Sequence, residues 1–279
     1  KYTIFTWLPL SLWNQFQRVA NVYFLVISVL MLIGKYAPTI FQTPLDPYST
    51  IVTFVFVLGV TCVKEASEDL NRYNSDKFEN EKIVKVVTFE NGKAVETEVM
   101  TKEIKGGDII KLEGKQAVPA DMVLLMTSNW NDGNQCYIET ANIDGETNLK
   151  LKNAPAALKE VLADGNPTPE LFRGTVEFEP PNKSIYTFSG AYACKAVEHK
   201  IALGPENVLL RSSLFSNTDW GYGIALYTGQ ETKIQMNNRT VDSKMSNIEK
   251  LANEAILMVF CAQLALCTLT ATSIYIMGF

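Results

Sequence analysis

The sequence predicts a membrane protein in which α-helical transmembrane segments flank an all-β soluble domain. The first observation is the placement of charge. Of 25 Lys and Arg, only Lys1, Arg18 and Lys35 lie outside residues 64–254, and of 30 Asp and Glu only Asp46 does. The second is that this charged middle contains many short β-like runs separated by glycine or proline. Such a pattern is typical of a compact β-sandwich or jelly roll.

Three apolar segments predict the transmembrane helices. The first, Val19–Ile33, is short for a span, and we expect it to extend back to Leu12. The second, Pro47–Val63, and the third, Ala255–Phe279, contain no charged residue. A buried core helix is the alternative for each segment. Because a span needs about 20 apolar residues, three segments of these lengths favour membrane helices.

The charges beside these segments predict their orientation. The connection between the first two segments contains Pro38, Pro44 and Pro47, which predicts a tight helical hairpin. Basic residues gather beside the other segment ends, and they are Lys1, Arg18, Lys64, Arg72, Lys77, Lys82, Lys244 and Lys250. Positive charge near span ends marks the cytoplasmic side. We therefore expect the middle domain to face the cytosol and the loop with Lys35 to face the lumen or exterior.

The middle domain is expected to begin with a helix and continue as strands. Residues Lys64–Glu81 are polar and predict a continuation of the second span. Asn91-Gly92 between Ile83–Phe89 and Ala94–Val99 is a strong hairpin signal. A short helix is predicted near Ala154–Ala163. Further predicted strands are Ile109–Leu112, Met122–Met126, Tyr137–Thr140, Tyr186–Cys194, Leu209–Leu210 and Gly223–Tyr227.

Composition argues against several other classes of protein. The net charge of −5 lacks the basic excess typical of nucleic-acid binding. The five cysteines form no CxxC pair and no metal-ligand spacing, which favours a reduced, cytosol-facing domain. The sequence has a single histidine, His199, and no zinc site is predicted. Because Lys1 begins within an element and no signal peptide is evident, we expect the sequence to be a piece of a longer protein.

The segment Cys136–Lys150 reads CYIETANIDGETNLK. Its centre, Asp144-Gly145-Glu146-Thr147, predicts an acidic side chain presented outward at a glycine turn. An isolated Asp-Gly pair marks an ordinary surface turn, so the tetrapeptide alone indicates little. The fifteen residues together resemble the actuator-domain signature of the type-4 P-type ATPases, the phospholipid flippases. Other P-type pumps usually carry Thr-Gly-Glu-Ser at this place.

Further motifs of the same family occur in the expected order over nearly the whole chain. They are Ala20-Asn21 with Tyr23-Phe24-Leu25, Lys64-Glu65 with Glu68-Asp69, Gly107-Asp108-Ile109, Pro119-Ala120-Asp121, Asn217-Thr218 with Trp220, Tyr227-Thr228-Gly229 and Thr232-Lys233. By this resemblance the chain is identified as a member of the family.

The resemblance implies a division of the chain into four parts. Residues 1–63 would hold the first two spans and their luminal loop, and residues 64–82 a cytosolic stalk helix. Residues 83–240 would form the actuator domain, of distorted jelly-roll or double-stranded β-helix type. Residues 241–279 would form a second stalk and the third span.

The resemblance also implies a reaction, in which an aspartate of another domain is phosphorylated by ATP and then hydrolysed. Glu146 would orient the attacking water, while Asp144, Gly145 and Thr147 would hold the shape and docking of the loop. The sequence has no Asp-Lys-Thr-Gly phosphorylation motif and no nucleotide-binding domain. ATP and Mg²⁺ would therefore bind to domains outside this chain, and the chain alone is expected to be inactive.

Expectations about the lipid come from the first span. At the positions where phosphatidylserine flippases often carry a Gln-Gln pair, this chain has Met31 and Leu32. These apolar side chains offer a headgroup no hydrogen bonds, which argues against a serine preference. Asn21 is expected either to contact a headgroup or to bond to another helix. The resemblance further implies an accessory glycoprotein β-subunit and a plasma-membrane, Golgi or endosomal location.

Two other hypotheses for the function remain open. A cation-transporting P-type pump would share the architecture, but it should carry Thr-Gly-Glu and intramembrane carboxylates. The three apolar segments contain neither Asp nor Glu. A non-catalytic membrane adaptor would use the β-domain to bind cytosolic partners, and its Glu146 would have no catalytic role.

Overall fold

The computed structural model describes residues 5–43, 46–90, 93–159, 168–238 and 246–277. The chain forms two compact units. The helical unit comprises Lys1–Ser75 together with Val241–Phe279, and the β unit comprises Asp76–Thr240. The fold class predicted from the sequence, apolar terminal helices around a β-rich middle, is confirmed.

The α-helices of the described residues include three long ones and four of ten residues or fewer. They are α1 (Trp7–Phe16), α2 (Val19–Tyr36), α3 (Pro47–Asn80), α4 (Ala141–Asp144), α5 (Pro169–Phe172), α6 (Lys233–Asn237) and α7 (Asn247–Met277). Helix α3 has 34 residues without a break, so the polar stretch after Val63 continues the apolar helix as expected.

Within the residues that the structure describes, three helices are long and apolar enough to cross a membrane, namely α2, α3 and α7. Their apolar side chains are largely exposed, and the most apolar stretch of α7 contains no buried residue. Exposing such continuous apolar surfaces to water costs free energy, whereas exposing them to hydrocarbon does not. A helix also satisfies its own backbone hydrogen bonds, as a bilayer requires.

The first span is shorter than the sequence predicted. Helix α1 ends at Phe16, and Arg18 has extended backbone (φ −85°, ψ 123°) before α2 begins at Val19. The expected extension back to Leu12 is therefore wrong, because the backbone at Arg18 leaves the helical region. The residues from Trp7 to Phe16 form a separate helix.

Polar contacts join the helices of the helical unit. Arg18 forms an ion pair with Glu249 of α7 (2.9 Å), and the Tyr23 hydroxyl donates to Gln263 Oε1 (3.3 Å). Between α1 and α3, the Ser11 hydroxyl donates to Glu65 at 2.5 Å. These contacts join α1 to α3, and α7 to the N-terminal end of α2.

The β unit contains three antiparallel sheets within the described residues. The largest has the order β10-β4-β12-β3-β1-β2, and the other two are β11-β5-β6 and β7-β8-β9. The strands are β1 (Ile83–Glu90), β2 (Lys93–Met100), β3 (Ile109–Glu113), β4 (Asp121–Thr127), β5 (Gln135–Glu139), β6 (Lys150–Asn153), β7 (Gly174–Phe178), β8 (Gly190–Cys194), β9 (Ile201–Leu203), β10 (Val208–Leu209), β11 (Leu214–Ser216) and β12 (Trp220–Tyr227).

The six-stranded sheet is covered on both faces at β4, whereas its edge strand β2 is mostly exposed. Every residue of β4 is buried, and successive side chains of a strand point to opposite faces. Val123 and Leu125 belong to a core shared with Tyr192 and Leu203 of one small sheet. The alternate residues Met122 and Leu124 belong to a second core, shared with Cys136, Ile138 and Phe215 of the other small sheet. The result is a three-layered β structure.

The strand predictions are mostly confirmed. The strands β1 and β2 pair from Ile83↔Met100 to Glu90↔Lys93, as the hairpin signal predicted, while Asn91 and Gly92 lie outside the described residues. Predicted strands also appear at β3, β4, β5, β10 and β12, with ends shifted by one to three residues. Strands β6, β7, β9 and β11 were not predicted.

Two predictions need correction. The helix near Ala154–Ala163 is wrong over its described part, where a single 3₁₀ turn occupies Ala156–Leu158 and residues 160–167 are outside the description. The backbone N–H groups of Leu158 and Lys159 donate to the carbonyls of Pro155 and Ala156, three residues back, and the Leu158 side chain is fully buried. The strand predicted to start at Tyr186 starts at Gly190 instead.

A buried lysine explains why the residues before Gly190 form a loop. The Lys233 ammonium is 1% exposed and lies within 2.7 to 3.2 Å of four oxygens. These acceptors are Glu179 Oε1, Asn182 Oδ1, Ser184 O and Thr187 O. A lysine ammonium has three donors and no acceptor, so it draws the carbonyls of this segment inward. Carbonyls bound to Lys233 are unavailable for a strand ladder.

We expect Lys233→Met to lower the free energy of unfolding by about 3 kcal/mol, because the oxygens lose their common donor. Chemical denaturation of the purified chain, followed by tryptophan fluorescence, measures this loss. Lys200→Met is the matched control. Lys200 pairs with Glu177 at 2.7 Å, but both side chains are 61% exposed, so the loss should stay below about 1 kcal/mol. Equal losses in the two variants would contradict the structural role of Lys233.

Candidate functional site

The acidic tetrapeptide lies in the connection of a β-hairpin. Strand β5 pairs with β6 in an antiparallel register from Gln135↔Asn153 to Ile138↔Lys150. Cys136 and Ile138 of β5 are buried in one of the two cores. The base of the hairpin is therefore fixed by the core, and residues 140–149 extend from it.

A single helical turn, α4, shapes the start of this connection. The Thr140 carbonyl accepts from the backbone N–H groups of Ile143 (2.8 Å) and Asp144 (3.0 Å). The turn ends at Gly145, which has φ of 78° in the left-handed region. A side chain at such a position is strained, whereas glycine adopts this conformation freely. Gly145 therefore lets the chain reverse just before Glu146.

Asp144 is the anchor of the loop. Its Oδ1 accepts from the Thr140 hydroxyl (2.9 Å) and from the backbone N–H of Glu146 (3.0 Å). Its Oδ2 lies 2.5 Å from the Lys150 ammonium. Only 12% of the Asp144 side chain is exposed. Both oxygens are thus committed to the protein, and Asp144 is not presented to a partner.

Glu146 is the outward-facing carboxylate. Its side chain is 59% exposed, and its Oε2 lies 2.9 Å from the Lys150 ammonium. Thr147 is exposed as well. In the described part of the chain no side-chain hydrogen bond is found for Thr147, so its expected contribution to the shape of the loop stays a prediction.

The ion pair of Asp144 with Lys150 shifts the pKa of both of its partners. The Lys150 ammonium, with further help from the Glu146 N–H, lowers the pKa of Asp144 to about 2. The same contacts, first with Asp144 and then with Glu146, raise the pKa of Lys150 above its ordinary value. A hydrogen bond to the charged form of a group favours that form. Asp144 and Lys150 are therefore both charged at neutral pH.

The residues proposed for the lipid path all lie on α2 in the helical unit, with Asn21 in its first turn and Met31 and Leu32 nearer its end. The Asn21 amide donates to the main-chain carbonyl of Gln15 at 2.7 Å. This is the helix-to-helix bond that the sequence left open as an alternative to headgroup contact. Met31 and Leu32 are partly buried on the same helix.

Two residues at the ends of the acidic loop (residues 140–149) bind the loop and were not predicted to do so. Thr140 and Lys150 both bind Asp144. The four-residue spacing of Glu146 and Lys150 is a contact signal only on a helix, and these residues lie in a loop and at the start of a strand. Over the described residues, no group of three His, Cys, Asp or Glu side chains is placed to hold a metal ion.

Comparison with known proteins identifies relatives over most of the chain. The family model described as phospholipid-translocating ATPase N-terminal matches residues 1–45. Phospholipid-transporting ATPase ID of Homo sapiens is 40% identical over 260 residues, which is 93% of this chain and 20% of that protein.

Two further relatives come from mouse and plant. Phospholipid-transporting ATPase FetA of Mus musculus is 37% identical over 93% of this chain and 21% of its own length. Phospholipid-transporting ATPase 1 of Arabidopsis thaliana is 37% identical over 98% of this chain and 22% of its own length. The chain spans about a fifth of these curated relatives. Over that span it belongs to the type-4 P-type ATPases, the phospholipid-transporting ATPases.

Proposed function

We propose that this chain is part of an ATP-driven phospholipid translocase that moves lipid to the cytosolic leaflet. In this proposal the β unit is its actuator domain and supplies the dephosphorylation loop. The observation that carries the proposal is the exposed Glu146 carboxylate on a hairpin fixed by the core. The names of the relatives support lipid as the transported substrate.

The proposed reaction is hydrolysis of an aspartyl phosphate in a domain outside this chain. Phosphoryl transfer asks mainly for in-line positioning of a nucleophile against a phosphate whose charge is neutralised. Glu146 accepts a proton from the attacking water, the water oxygen bonds to phosphorus, and the bond from phosphorus to the aspartate oxygen breaks. Gly145 has open space where a Cβ would stand, which allows close backbone approach.

ATP and Mg²⁺ are assigned to domains beyond this chain. In this proposal the contribution of this chain is the Glu146 carboxylate and the loop that holds it. Asp144, Gly145 and Thr147 would fix the shape of that loop and its docking.

The helical unit would contribute part of the lipid path. Asn21 is proposed to lie near the cytosolic end of the path, where its bond to Gln15 is exchanged for a headgroup contact. Met31 and Leu32 would line the opposite end without offering hydrogen bonds. An accessory glycoprotein β-subunit and a plasma-membrane, Golgi or endosomal location complete the proposal.

We expect Glu146→Gln, in the full-length protein, to slow decay of the phosphoenzyme about a hundredfold or more, because the amide cannot accept the proton of the water. Radiolabelled phosphate remaining on the protein after an excess of unlabelled ATP measures this decay. Glu198→Gln is the control, since Glu198 is exposed on another turn of the β unit. Unchanged decay in Glu146→Gln would refute its catalytic role, and absence of any phosphoenzyme would favour the adaptor.

Orientation is tested by labelling single cysteines in sealed vesicles with a membrane-impermeant maleimide. Lys195→Cys in the β unit should react only in inside-out vesicles. Ile40→Cys, in the connection between α2 and α3, should react only in right-side-out vesicles. Cys261 and Cys267 are exposed on α7 and are replaced by alanine beforehand. The reverse labelling pattern would overturn the cytosolic placement of the β unit.

A further inference from the structure

The Lys150 side chain joins the two carboxylates of the acidic loop. Its ammonium lies 2.5 Å from Asp144 Oδ2 and 2.9 Å from Glu146 Oε2. One cation therefore contacts both carboxylates of the Asp-Gly-Glu sequence. The Lys150 side chain is 31% exposed, which is intermediate between Asp144 at 12% and Glu146 at 59%.

The backbone of Lys150 is held independently of these contacts. Lys150 is the first residue of β6 and pairs with Ile138 of β5. Ile138 is almost fully buried in the core. The lysine therefore starts from a fixed point at the base of the hairpin, and its side chain reaches the loop from there.

The two contacts of Lys150 differ in their surroundings. Asp144 is also bound by Thr140 and by the Glu146 backbone, so its pair with Lys150 is part of a network. Glu146 is mostly exposed, and an exposed ion pair of this kind is weak and readily exchanged with solvent or another partner. The pair with Asp144 is thus the permanent one, and the pair with Glu146 is the exchangeable one.

Two carboxylates so close in sequence also repel each other. The Lys150 ammonium contacts both carboxylates and offsets this repulsion. It also keeps the Glu146 carboxylate on the side of the loop where the ammonium lies. Without a cation here, Glu146 is free to turn away from Asp144 into solvent.

We infer that Lys150 is a positioning residue for Glu146, which rests on the role proposed above for that carboxylate. Anchored by Asp144, the ammonium sets the direction of the Glu146 side chain before the loop engages the phosphorylated partner. Glu146 then exchanges this contact for the attacking water while Lys150 stays on Asp144.

The test compares phosphoenzyme decay in full-length variants. Lys150→Met should slow decay about tenfold to a hundredfold, the loss expected when a reacting group is misplaced by about an ångström. Lys150→Arg should restore decay to within a few-fold of the parent, because it returns a cation. Lys152→Met is the matched control: it removes the same charge two residues along β6, where the ammonium donates to the Pro205 carbonyl, and it should decay like the parent.

Formation of the phosphoenzyme reports whether each variant is folded. If Lys150→Met forms none, Lys150→Gln takes its place, since glutamine keeps a polar side chain without the charge and should show the same slow decay. Glu146→Gln is measured in parallel. Slow decay in Glu146→Gln with parental decay in both uncharged Lys150 variants overturns the inference and leaves the proposed function standing. Failure of Lys150→Arg to restore decay also overturns it. Parental decay in Glu146→Gln overturns the proposed function itself.

Discussion

The β unit depends on the burial of one strand on both of its faces. Strand β4 contributes alternate side chains to two separate cores, and each core is closed by a different three-stranded sheet. The sheet that contains β5 is fixed in this way through Cys136 and Ile138. The acidic loop inherits that rigidity, because it begins one residue after β5 and ends where β6 starts. The support fixes the two ends of the loop, while the direction of the exposed Glu146 side chain depends on its contact with Lys150.

The helical unit meets the same hydrophobic requirement differently. Its long helices leave most apolar side chains uncovered by protein, so their burial must come from hydrocarbon. Polar residues are placed where helices meet, as in the pair of Arg18 with Glu249 and the bond from Asn21 to Gln15. The 18 residues of α2 are about 27 Å long at 1.5 Å per residue. That length is close to the thickness of a bilayer's hydrocarbon core.

Much of this could be predicted because local sequence and final structure agree. The Asn-Gly pair predicted the β1–β2 hairpin, and the apolar run at Met122–Met126 predicted β4. Strand β6 was missed because Lys150, Lys152 and Asn153 are polar and β6 lies at the edge of its sheet. The alanine-rich segment after Ala154 has helical propensity, yet its described part forms a single 3₁₀ turn, since intrinsic propensity is a weak determinant of structure. The contact of Lys150 with Asp144 depends on hairpin register, which local patterns do not specify.

The low pKa of Asp144 has a consequence for how the protein responds to acidity. An aspartate ordinarily has a pKa of about 3.9, and here the value is about 2. A carboxyl group whose pKa is lower in the folded state than in the unfolded state stabilises the fold at pH values above its unfolded pKa. This stabilisation is lost only as the pH falls from about 4 toward 2. Lys150 titrates above its ordinary value. Between roughly pH 5 and 8 the charges of Asp144 and Lys150 do not change, so the ion pair that anchors the acidic loop is retained across that range.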